Sequence, residues 1–223
     1  MILSGLCFMI VNFFVKLLGG NEDQILIDGL QKYPAHELVL ARSVISIVIS
    51  FAIIKQRKIP VFGNNIPWLI TRGLSGTIAL TLFFYTIHNL PLAVAAIVQY
   101  LAPVFTVLFA IIVMKQKVKR IQWVFIALSF IGVGIIAYSK IAGFNLMNQI
   151  SIKWLLLGIV SAFFSGIAYL SIIKLKATDE PITIVFYFPM IAAPIMVVFC
   201  FYDFVMPDGI EWLILLIIGI FTQ

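Results

Sequence analysis

The chain has 223 residues, 63% of them hydrophobic and 11% charged. A soluble domain carries roughly 45–50% apolar and about 25% charged residues, so this chain has too few polar groups to coat one. The formal charge of +6 does not point to nucleic acid, because the basic residues form short clusters between apolar runs, as a topology signal does.

Seven full apolar spans and one incomplete span are predicted, at 2–18, 38–54, 66–87, 92–114, 121–139, 154–173 and 182–202, with the last starting near 210. At about 1.5 Å per residue such runs cross a hydrocarbon core roughly 30 Å thick. Backbone groups in lipid must pair within the segment, so the spans are helices. The fold class expected is an all-α, polytopic transmembrane helix bundle.

Span one lacks the basic start and small-residue cleavage site of a signal peptide. It carries Cys7, which with Cys200 reads as a small core hydrophobe rather than half of a disulfide or metal pair. It also carries Asn12 and Lys16, one helical turn apart. The stretch Gly19 to His36 reads as a solvated loop, with nothing in it that looks like a site. Span two holds Arg42. Ionisable groups inside a membrane cost about 2.5–3.5 kcal/mol each, so they need a reason. For Arg42 an inward-facing role is favoured over snorkelling to the headgroups; for Lys16 the two readings stand level.

Span three opens at Trp68-Leu69-Ile70 and carries Arg72, which reads as a topology anchor. Thr77 and Thr81 share a helical face with Tyr85 and His88. The run His88-Asn89-Leu90-Pro91 reads as a tight turn, with His88 a turn residue. In span four Gln99 shares a face with Pro103, and Pro103 is expected to kink the helix, which membrane helices tolerate. Span six places Tyr169 deep and repeats small residues, Ser161, Ala162, Ser165, Gly166 and Ala168, which let helices approach closely. For each polar residue alone, helix–helix hydrogen bonding is the plainer reading. Four helices with polar faces together suggest a shared cavity. Its cations, with no carboxylate in mid-span, favour an anionic or zwitterionic solute. They also argue against coupling through a membrane-embedded acid.

Ten of the fifteen basic residues fall on one side, in the loops after spans two, four and six and at Arg72. The positive-inside rule puts that side, and the N-terminus, in the cytoplasm. The chain also repeats weakly. FFVKLL ends span one at Lys16 and SIIKLK ends span six at Lys174, while Trp68-Leu69-Ile70 recurs as Trp212-Leu213-Ile214. With five spans per copy, the second copy starts from the opposite face, as an inverted repeat does. From Trp212 only twelve residues remain, too few to span, so the chain is expected to be a fragment.

These residues resemble the EamA-type transporters of the drug/metabolite transporter superfamily. Asn12 before Lys16 is similar to that family's first-span signature, without its usual Trp-Gly pair. Arg42 in LVLARSVIS, and the stretch from Arg72-Gly73 through Tyr85 into NLPLAVAAIVQYLAPVFTVLFA, carry the rest. The Glu usual after span four is replaced in MKQKVK. The resemblance implies two inverted five-helix repeats: 1–139 as the first, 140–153 an external linker, and 154–223 an incomplete second. It implies a carrier in the cell membrane that moves small polar metabolites, amino acids or related zwitterionic or anionic solutes, by alternating access; export is the expected direction, and uptake occurs in the same family. The substrate cavity is expected between the repeats, with Asn12, Lys16, Arg42, Thr77, Thr81, Tyr85, Gln99 and Tyr169 as candidates. No cofactor, metal or nucleic acid is expected, and a homodimer is compatible with the pattern. A non-transporting assembly subunit and a membrane-embedded enzyme are the other classes. The enzyme lacks support from any H-E-x-x-H, paired intramembrane Asp or Ser/His/Asp set.

Overall fold

The computed structural model describes residues 2–19, 30–115, 120–141 and 151–222. Among them the secondary structure is helical throughout: α1 Ile2–Gly19, α2 Ala35–Arg57, α3 Ile66–Asn89, α4 Leu92–Gln99, α5 Leu101–Met114, α6 Arg120–Ile141, α7 Ile152–Leu175, α8 Pro181–Cys200 and α9 Glu211–Phe221. Among the described residues five spans are long and apolar enough to cross a membrane: α2, α3, α4 with α5, α7 and α8. The expected linker at 140–153 falls largely on 142–150, outside the described residues, as do Lys117 and Lys119.

Proline sets four of the helix starts. Pro34 and Pro91 precede α2 and α4, and Pro67 and Pro181 occupy the first turns of α3 and α8, where a missing N–H costs nothing. Pro34 brings α2 in three residues earlier than the apolar run suggests. His36 therefore belongs to the first turn of α2 and not to a loop. The loop reading fails for Tyr33 too, which is 2% exposed and packed in the core. His88 sits in the last turn of α3, buried, rather than in the turn beyond it. Apolar periodicity could not see His36 and His88 because each is polar and buried at a helix end.

The fourth span breaks at Tyr100, one turn ahead of Pro103. The proline ring clashes with the carbonyl four residues back, which is that of Gln99. The Tyr100 N–H is shared between the carbonyls of Ala96 (3.2 Å) and Ile97 (3.1 Å). Two further prolines, Pro189 and Pro194, lie inside α8 without ending it.

Helix α3 is the axis of the bundle and packs on α1, α2, α4, α7 and α8. Lipid supplies no hydrophobic drive between helices, so close packing has to hold them. Gly166 of α7 lets α5 approach: a Cβ there would lie 2.6 Å from the Cβ of Phe105. Phe105 also meets Phe163 of α7 and Phe130 of α6 edge-on, at 5.6 and 6.0 Å between ring centres. Two dry clusters cap the bundle. One joins Val15, Leu18, Leu38, Phe84, Ile87 and Ile218 of α1, α2, α3 and α9. The other joins Ile54, Leu69, Leu175, Ile184 and Tyr187 of α2, α3, α7 and α8. Antiparallel α2 and α3 run from one cluster to the other.

Candidate functional site

Two cavities adjoin between the packed ends. The larger, about 400 Å³, is lined by Asn12, Arg42, Phe83, Phe84 and Thr222 among others. The smaller, about 150 Å³, is lined by Arg42, Arg72, Gln99, Ser165, Tyr169 and Phe188 among others. Phe8, Arg42, Leu80 and Phe83 line both, so the two meet at Arg42. Neither lining contains a carboxylate.

Arg42 comes from the second turn of α2, and Arg72 from the second turn of α3, which runs the other way. Both guanidinium groups lie over the ring of Phe188 on α8, Arg42 at 5.7 Å and Arg72 at 5.1 Å from its centre. Such placement lets the ring's negative face offset part of the cost of drawing cations inward. Gly76, one turn beyond Arg72, makes the room: any Cβ there would collide with Arg72 Nη1 and press on Phe188. The Nε of Arg72 is buried with no partner. Arg72 is thus a cavity residue and not an anchor at the membrane rim. The glycine four residues after it was the available signal.

Gln99 of α4 donates from Nε2 to Ser165 Oγ of α7 at 2.9 Å. Ser161 Oγ donates to the carbonyl of Ala79 at 2.8 Å and lies 3.5 Å from Gln99 Oε1. The small residues of α7 therefore hold Gln99 at the cavity wall. Tyr169 lies one turn past Ser165 and lines the same space while remaining 47% exposed. Asn12 is 4% exposed and its Oδ1 has no partner.

The other candidates are engaged elsewhere. Lys16 Nζ donates to the carbonyls of His88 and Leu90, both at 3.0 Å. Thr77 and Thr81 donate to the carbonyls one turn back, those of Gly73 and Thr77, at 2.7 and 2.8 Å. Tyr85 Oη lies 3.2 Å from His36 Nδ1. None of these four lines either cavity.

Polar clasps lie at both ends, and the sequence reading missed them. At one end buried Glu211 accepts from Gln31 N (2.6 Å), Tyr33 Oη (2.5 Å) and Asp208 N (2.8 Å). Glu37 accepts from Val205 N at 3.1 Å, while its Oε1 is buried without a partner. Burial, and then the carboxylate of Glu211, push the Tyr33 phenol well above its ordinary range. At the other end Asp179 accepts from Asn64 N at 2.5 Å and Thr178 Oγ1 at 2.6 Å, and Asn64 Nδ2 donates to the Thr178 carbonyl at 2.9 Å. These acids lie in or beside polar connections, where hydropathy offers only the label of loop. Among the described residues no cluster of His, Cys, Asp and Glu could hold a metal.

The profile of the EamA-like transporter family matches residues 1–138. The chain is 26% identical over 221 residues to the pseudopaline exporter CntI of Pseudomonas aeruginosa, covering 98% of this chain and 72% of that one. It is 26% identical over 226 residues to a riboflavin transporter of Vibrio cholerae, covering 100% of this chain and 70% of that one. It is 24% identical over 228 residues to human solute carrier family 35 member G1, covering 97% and 61%. A solved crystal structure superposes with a TM-score of 0.63 at 16% identity, covering 98% of this chain and 73% of that one, a likeness of fold alone.

Proposed function

The chain belongs to the EamA-like transporter family, and we propose that it exports small polar metabolites with an anionic or zwitterionic head, amino acids or their relatives. It is a multi-pass membrane transporter and not an enzyme. The observation that carries the solute class is the pair Arg42 and Arg72 in cavities without a carboxylate. Cations in a space screened from water concentrate negative charge. The relative named as an exporter supports the outward direction.

Alternating access between two inverted repeats is the mechanism we infer. The packing supports it. If spans one, two and three are α1, α2 and α3, and their counterparts are α7, α8 and α9, then exchanging the copies turns the contact of α3 with α7 into that of α1 with α9. It returns α2 against α8 to itself, and it turns α3 against α8 into α2 against α9. All five contacts are present. We infer a cytoplasmic N-terminus, which the basic clusters support, and the cell membrane as the location. Buried Glu37 and Glu211 stand at helix ends and line neither cavity, so among the described residues neither cavity offers an acid to relay protons.

The test is a panel of labelled amino acids, nucleosides and cationic drugs, followed for export and uptake in cells expressing the chain. Arg42→Gln should lower transport of the anionic or zwitterionic substrate at least tenfold. Unchanged transport of every such solute would remove the proposal.

A further inference from the structure

The charge balance around Phe188 narrows the solute, given the carrier reading above. Two formal positive charges reach one ring from helices that enter from opposite ends, and no lining residue is acidic. A neutral zwitterion would leave both charges uncompensated, and a monoanion would leave one. Uncompensated charge away from water is costly, so the loaded site favours a net charge near zero. A guanidinium fork matches a carboxylate with two parallel hydrogen bonds, and the unpartnered Nε of Arg72 is one such donor. Because both forks stand over the same ring, a single short-chain molecule can span them. Each guanidinium carries its own fork, so two carboxylates of one solute can each find a pair of donors. Asn12 Oδ1, orphaned on the wall shared with Arg42, adds an acceptor for a hydroxyl of the same solute.

We propose that the cavity between α2, α3 and α8 takes a small dicarboxylate, one carboxylate on Arg42 and the other on Arg72, with Phe188 as their shared floor. A hydroxyl substituent is read by Asn12. The solute stays intact, and binding makes and breaks no covalent bond.

The experiment is equilibrium binding of radiolabelled succinate to the full chain purified in detergent. Malate, aspartate, acetate, alanine and inorganic phosphate serve as competitors. Malate should compete at least tenfold better than acetate or alanine and should surpass succinate, while aspartate, whose ammonium leaves one positive charge uncompensated, should fall between succinate and alanine. Arg72→Gln should weaken succinate at least tenfold and bring it level with acetate, while Arg72→Lys keeps part of the preference. Gel filtration and circular dichroism establish that each variant is folded. The inference is overturned if alanine or acetate competes as well as succinate, if phosphate competes better, if Arg72→Gln leaves the preference intact, or if succinate does not bind. In each of those cases the carrier reading stands as long as the cell panel still shows transport, and falls if that panel shows none.

Discussion

The Lys16 ammonium donates to two carbonyls at the point where α3 ends. The last carbonyls of a helix lack partners inside it and form the negative end of its dipole, so a cation there is well placed. The sequence showed a charge near the end of an apolar run and left snorkelling and function level, because both need only a long stem at that depth. What it could not show was a second helix ending within reach. Lys16 is thus bound to backbone, and its removal should act on stability first. Lys16→Met leaves two carbonyls short of a donor, at a cost of about 1–3 kcal/mol. We predict a lower melting temperature for the purified chain and less than a threefold change in solute affinity. A tenfold loss of affinity at unchanged melting temperature would put Lys16 back among the binding residues. Arg42 and Arg72 differ because each meets a ring and a void instead of a helix end.

At the scale of elements, the spans were legible because lipid writes its demands in long apolar runs. Their ends were less legible, since a proline or a buried acid extends or stops a helix without changing hydropathy. The break at Tyr100 is a case in point. Pro103 marked the right span, but the bend falls where its ring meets the Gln99 carbonyl, one turn earlier. That position turns Gln99, the last residue of α4, toward Ser165. Pro103→Ala returns an N–H that can bond the Gln99 carbonyl and lets α4 and α5 run on as one helix. We predict an equal or higher melting temperature together with at least threefold weaker solute binding, because straightening rotates Gln99 away from α7. Equal binding in the two proteins would mean that the bend serves packing alone.

At the scale of the whole molecule, the cavities lie between two dry clusters, and each end is fastened by a polar clasp, one on Glu211 and one on Asp179. A carrier that alternates has to open one end while the other stays shut, so each clasp is a candidate for the contact that breaks. The clasps are separate in space and share no residue, so their effects should be separable. Bonds to a charged acceptor contribute about 1.5–3 kcal/mol each, and about 1.4 kcal/mol is a tenfold change in an equilibrium. Losing the Asn64 bond in Asp179→Ala should therefore raise the open population at that end by tenfold or more, and Glu211→Ala should do so at the other. A single cysteine at Leu80, which lines both cavities, reports the outcome once Cys7 and Cys200 are replaced by Ser. A membrane-impermeant thiol reagent is applied to each side of sealed vesicles. Asp179→Ala should speed labelling from one side and Glu211→Ala from the opposite side. Faster labelling from the same side in both variants, or no change in either, would show that the clasps fasten the fold without gating it.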